Sequence, residues 1–225
     1  MQTDTLIVED VLLLMLDDKT GVAAGAGTQH LTLAGAVLVE LALLGRIEPD
    51  GNGAWYQGTK IVATGDGPLP DPLLQTTYDA LAARPQDIYT LLATIGYELS
   101  EPVIERLLQR GLLRRERKRF LGLFPTTSLA ATNTGHESAL RKQMSLVLED
   151  GADPDTRLAA VIATISANGT LVLLHPLPKW SGQVATRAKE FEQGNWVAAA
   201  LNIAVAGTTA SQSAASAAVI GANPA

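Results

Sequence analysis

The chain has 225 residues, with 17 Lys plus Arg against 23 Asp plus Glu, and no cysteine. A net charge of -6 with 47% apolar and 18% charged residues excludes an intrinsically disordered chain and argues against a general nucleic-acid binder, and the missing cysteines exclude disulfides and thiolate metal sites. Aromatics make up only 4%, so the expected core is Leu, Val, Ile and Ala, and the length suffices for one large domain or two small ones.

No amino-terminal signal is read, because Asp4, Glu9 and Asp10 interrupt the first apolar run and a cationic start is missing. Leu6–Leu16 is apolar nearly all round, which predicts a buried helix, and Asp17–Gly21 supplies turn chemistry. Val22–Gln29 reads as a flexible loop. Leu31–Leu44 has helical spacing with Gly45 as its stop. Ile47, Trp55-Tyr56 and Ile61–Ala63 read as short strands around the turn Pro49–Gly53.

Asp71-Pro72 has the form of an N-cap and first turn, opening a helix to Ala83. Ile88–Ile95 is read as one helix. A second begins at Ser100-Glu101-Pro102 and ends at Arg110, with Gly111 just past the end. Glu137–Leu148 is helical. Asp153-Pro154 repeats the cap-and-proline start for Pro154–Ala167, and Leu171–Leu174 is a short buried run. Val184–Phe191 and Trp196–Ala206 are the last two helices, and the Ala/Ser-rich tail 207–225 is expected to be disordered. Apart from that tail, whose small and polar residues insert poorly, no stretch of about 18 apolar residues is free of charge. The expectation is a soluble, mainly α protein. Its single domain, 1–206, has a helical bundle and short β-hairpins, and it meets a membrane only from the surface.

The most unusual stretch is Arg110–Pro125, RGLLRRERKRFLGLFP. It holds Arg114, Arg115, Arg117, Lys118 and Arg119, five of the 17 cations, followed by Phe120, Leu121, Leu123 and Phe124, which include two of the three phenylalanines. Cations followed by an apolar knot suit a bilayer of anionic phospholipids, negative outside and oily within. They equally suit a structural hairpin whose apolar end packs on the core or on another subunit. Leu112–Phe124 is most simply a hairpin with Lys118, Arg119 and Gly122 near its tip.

LIVEDVLLLMLDDKTG (Leu6–Gly21), LVELALLGRI (Leu38–Ile47), LLQRGLLRRERKRFLGLF (Leu107–Phe124) and DTRLAAVIATISA (Asp155–Ala167) occur in that order. Together they resemble the Golgi phosphoprotein 3 family, in a divergent form of bacterial type. The resemblance covers Thr5 to Ala206 and implies a helical bundle with one projecting hairpin that inserts into membrane and mediates oligomer contacts. It also implies a protein on the cytoplasmic side, peripheral to the membrane (the Golgi membrane in eukaryotic relatives). Those relatives bind phosphatidylinositol 4-phosphate and retain glycosyltransferases by their cytoplasmic tails. Their 4-phosphate pocket uses a tryptophan and three arginines. Here the tryptophan falls in the loop Ala23–Thr28, which has no aromatic, and the arginines fall on Ala34, Tyr97 and Ser100. A phosphate needs fixed cationic donors, and none of the four residues is kept.

His30, His136 and His175 are scattered without metal spacing, so no metal or other cofactor is expected; His30 and His136 are read as solvated loop residues. Glu9-Asp10 and Asp17-Asp18 resemble acid pairs, but helical spacing puts them on a polar edge, for capping or solvation. No nucleophile elbow, P-loop or dinucleotide fingerprint occurs, and Ser166 and Ser181 lack triad context, so no enzymatic activity is expected. A helix, Gly111 and a basic hairpin also describe a winged-helix wing. The net charge and the FLGLF tip argue against nucleic acid as a partner. The remaining alternative is a homo-oligomerisation module whose hairpin packs on a neighbouring subunit.

Overall fold

The first apolar run becomes a helix buried on every side. In the computed structural model α1 spans Ile7–Met15, and all nine of its residues are buried, Glu9 and Asp10 included. The model describes residues 5–17, 21–25, 27–51, 58–120, 124–132, 135–174 and 178–221, and of 117–120, 124–127 and 211–221 it gives the backbone only. The expected Trp55-Tyr56 strand and the Asp18–Thr20 part of the first turn lie outside the described residues.

α2 (Gln29–Leu43) is the hub. It packs against α1, α3 (Pro72–Ala83), α4 (Ile88–Gln109), α6 (Thr156–Ala167) and α8 (Trp196–Gly221). Two glycines permit this density. A Cβ on Gly96 of α4 would collide with the His30 carbonyl of α2, and one on Gly35 would lie 2.8 Å from Leu201 Cδ2 of α8. At Gly96 the backbones of α2 and α4 therefore approach more closely than a side chain allows, and at Gly35 the Leu201 side chain takes the space of a Cβ. β1 (Ile47–Pro49), β2 (Lys60–Ala63) and β3 (Gln86–Asp87) form a small antiparallel sheet in that order beside α3. β4 (Leu113–Phe120) and β5 (Phe124–Ala131) form a separate antiparallel hairpin. α5 (His136–Leu148) and α7 (Gly182–Gln193) complete eight helices among the described residues; the protein is mainly helical, in one domain.

Capping follows the side chains. Asp71 accepts from Leu73 N at 2.9 Å, Asp87 accepts from Tyr89 N and Thr90 N, and Ser181 caps α7. α6 is capped by Asp155, which accepts from Leu158 N at 2.7 Å, and not by Asp153: Pro154 precedes the cap instead of opening the helix.

Three further expectations change. α4 is one helix, not two. Pro102 sits within it, and the buried face Ile88, Leu92, Gly96, Leu99, Val103, Leu107 keeps helical spacing straight through. Burial of that face outweighs the backbone bond that the proline removes. In the Leu171–Leu173 turn only Leu171, with the following Leu174, is buried, whereas Val172 and Leu173 are exposed. Finally, α8 runs on through Gly221, where the sequence reading placed disorder from Gly207. Alanine is the best helix former, and the Thr208 and Thr209 hydroxyls donate back to Ala204 O and Val205 O. Only Val197, Ala198, Ala200 and Leu201 of this helix are buried among its described side chains.

Candidate functional site

The hairpin is longer than the Leu112–Phe124 reading. Its register runs from Leu113↔Ala131 to Phe120↔Phe124, with Leu121, Gly122 and Leu123 between the two strands in sequence. All five cations therefore lie on β4, and the return strand, FPTTSLAA, carries none. Leu121 and Leu123 are outside the described residues, and so are the side chains of Arg117, Lys118, Arg119, Phe120 and Phe124.

Its root is fixed at two points. α4 ends in a paired motif in which Leu112 N donates to Leu107 O at 2.9 Å and Gly111 N to Leu108 O at 3.0 Å. Gly111 takes φ 70°, as a residue just past a helix end must to close these bonds. Leu107, Leu112 and Leu113 are buried together, so the chain leaves α4 in one defined direction. The second point is the turn after α1. Leu16 bridges Ala23, and Gly21 N donates to Asp17 O at 2.7 Å. Gly21, at φ 69°, lies so close to β5 that a Cβ would sit 2.5 Å from Leu129 O.

The two described cations at the root already have partners. Arg114 donates to Glu116 at 2.6 Å, and Arg115 meets Glu101 at 3.3 Å and also Glu105, both on α4. Arg115 is 51% exposed and Glu101 71%, so these pairs stand in water. Sequence reading saw Glu116 inside the segment but not Glu101 and Glu105. They lie 14 and 10 residues away on another element.

The positions aligned with the relatives' headgroup pocket come together only in part. Ala34 is fully buried within α2 and presents nothing to solvent. Tyr97 is 72% exposed and stacks on His30, with ring centroids 4.2 Å apart. Ser100 is half-buried one turn further along α4. His30 is thus no free loop residue: burial pushes its pKa down, which favours the neutral ring. No cation is among these residues.

The Glu9-Asp10 pair is the largest correction. Both are buried, Glu9 completely, at the centre of an ion network. Glu9 accepts from Leu6 N at 2.6 Å, Arg106 Nε at 3.3 Å and Arg110 Nε at 2.8 Å. Asp10 accepts from Thr5 Oγ1 at 2.8 Å and Arg157 Nη2 at 2.7 Å, and His136 Nε2 lies 2.8 Å away. Glu40 joins through Ile7 N and Arg157, and Asp71 through Arg106. Burial raises the Glu40 pKa against the opposing pull of the Ile7 N–H and Arg157. The network ties α1 to α2, α4, α5 and α6. An open groove of about 410 Å³ lies between α3 and α4, lined mainly by Leu73, Ala80, Ile95, Leu99 and Pro102. No helix among the described residues is long and apolar enough to cross a membrane.

One comparison bears on the whole arrangement: the family description Golgi phosphoprotein 3 (GPP34) matches residues 7–208, from the first turn of α1 into α8.

Proposed function

Because the chain belongs to the Golgi phosphoprotein 3 family, we propose that it is a peripheral membrane protein anchored to anionic phospholipids by the β4–β5 hairpin. On this reading it is an adaptor, not an enzyme. It acts at the cytoplasmic membrane surface and recruits membrane proteins through their cytoplasmic tails. The observation that supports it best is the segregation within the hairpin: five cations on one strand, then FLGLF next in the sequence, on a root fixed at both ends.

The magnitudes are sufficient. Each cation near an anionic surface contributes about 1 kcal/mol, and each large apolar side chain about 1.5–3 kcal/mol if fully inserted. The root ion pairs reduce the first figure, because Arg114 and Arg115 must exchange partners before they engage lipid. Neither part alone gives firm attachment; the combination does, and a homo-oligomer multiplies it. The apolar sequence FLGLF also suits a contact between copies of the chain, which sedimentation at micromolar concentration will reveal as a species above 23.6 kDa.

The expected headgroup selectivity is low. With Ala34 buried and Tyr97 and Ser100 uncharged, phosphatidylinositol 4-phosphate has no guanidinium at these positions to bind its phosphate. At equal charge, the preference over phosphatidylserine or phosphatidylglycerol should stay under about tenfold.

Liposome flotation tests the anchor. Replacing Arg117, Lys118 and Arg119 by Ser should weaken binding and flatten its salt dependence. Replacing Phe120 and Phe124 by Ser should weaken it at every salt concentration and leave that dependence in place. If folded protein of both variants floats like the wild type, the hairpin is not the anchor.

A further inference from the structure

We infer that Arg115 is shared between α4 and the membrane: Glu101 and Glu105 hold it in free protein, anionic phosphates take it at the surface, and the acidic flank of α4 then stays off the bilayer. This rests on the reading of the hairpin as the membrane anchor. Three features of the root carry it.

The pairing is lopsided. One guanidinium faces two carboxylates, Glu101 at 3.3 Å and Glu105, so the root carries a net negative charge where the hairpin joins the body. The pairing is also weak. All three side chains are at least 40% exposed, and exposed pairs of this kind are readily exchanged in water. Finally, Arg115 and the acids belong to different elements, two residues into β4 and the C-terminal half of α4, so their contact restrains the angle between hairpin and body.

Both carboxylates meet Arg115 through Nη2, whereas an anionic phosphate can engage a guanidinium through two N–H groups, in a field that favours cations. Once Arg115 turns to lipid, Glu101 and Glu105 lose their shared cation and are repelled by the same surface. Docking is thereby oriented, with the β4 cations toward the lipid and the α4 carboxylates away from it.

A double-mutant cycle separates this from simple summed charge. Glu101→Gln with Glu105→Gln should tighten binding to phosphatidylglycerol vesicles by about fivefold or more, the equivalent of ~1 kcal/mol, about half of what two charges lying at such a surface would contribute. Arg115→Gln alone should weaken binding by about twofold or less, but by about fivefold in the Glu101→Gln, Glu105→Gln background. Equal effects of Arg115→Gln in both backgrounds would overturn the sharing, because charges that merely add give no coupling. Amide exchange without lipid gives a second readout: Arg114–Glu116 should exchange faster in the Glu101→Gln, Glu105→Gln protein, and unchanged rates would also overturn it. If wild-type protein binds no anionic vesicle at low salt while its root amides respond as expected, the anchor reading fails and the restraint on the hairpin stands by itself.

Discussion

Two groups of opposite charges contrast, one around α1 and one at the hairpin root, and the same chemistry does different work in each. At α1 the carboxylates are at most 2% exposed and three arginines close over them. At the root, Arg114 and Arg115 are each more than half exposed. A buried carboxylate has surrendered its water, so removing one partner leaves a charge with nowhere to go. An exposed one trades its partner for water or lipid at little cost. Burial, not distance, separates the two, since Arg114 and Glu116 are 2.6 Å apart at the root and Arg157 and Asp10 2.7 Å apart around α1.

Arg106→Met should give the largest effect. It strips a partner from both Glu9 and Asp71, and urea unfolding should show a loss of about 3 kcal/mol. A loss under about 1 kcal/mol would mean that Arg110 alone satisfies Glu9 and that the network is redundant.

Gly21→Ala comes next and tests the joint between the two regions. A Cβ there meets the Leu129 backbone and the backbone has positive φ, so about 2 kcal/mol should be lost, with faster amide exchange in β5. Unchanged stability would show that the hairpin yields freely at this point.

A pH series on Glu40→Gln gives a smaller effect. The Glu40 carboxyl has a raised pKa in the folded state, mainly through burial. The folded protein therefore binds this proton more readily than the unfolded chain. The stability so gained is fully present below the ordinary glutamate range and is lost as pH rises through the raised value. Glutamine keeps an acceptor for Ile7 N–H and removes the titration. The stability of wild type relative to the variant should thus fall as pH increases across that window, and a constant difference would contradict the burial assignment. Smallest of all, Arg114→Gln should change stability by no more than about 0.5 kcal/mol, the mark of an exposed pair.

The sequence was legible where local chemistry decides structure. The apolar run of α1, the Asp71 cap, the Gly45 and Gly111 stops and the hairpin all follow from neighbours within a few residues. It was illegible where the deciding partner is distant. Asp10 meets His136 and Arg157, 126 and 147 residues away, and nothing near Asp10 announces that a charged residue on a helix will be enclosed. Pro102 misled because a helix start was read from a local signature, while the buried face running through it is a property of the whole helix. β5 escaped because Pro125, Thr126 and Thr127 carry no alternation; pairing with β4 makes them a strand. At the candidate site, the run of cations could be placed on a hairpin strand from the sequence, but the α4 carboxylates that hold Arg115 could not be foreseen.

The paired strands of the hairpin also have a mechanical meaning. Beyond the Arg115↔Leu129 pair each strand has five more paired residues, and at about 3.3 Å per residue the arm extends roughly 16 Å from that pivot. A swing of about 10° at the pivot would carry the far end through about 3 Å at that length. Such an arm is a gearing device: sub-ångström adjustments among Gly21, Leu129 and Arg115 become displacements the size of a side chain at the turn. A spectroscopic label placed at the turn will therefore report the pivot with several-fold amplification, and a chain without a single native cysteine makes such a label easy to place uniquely.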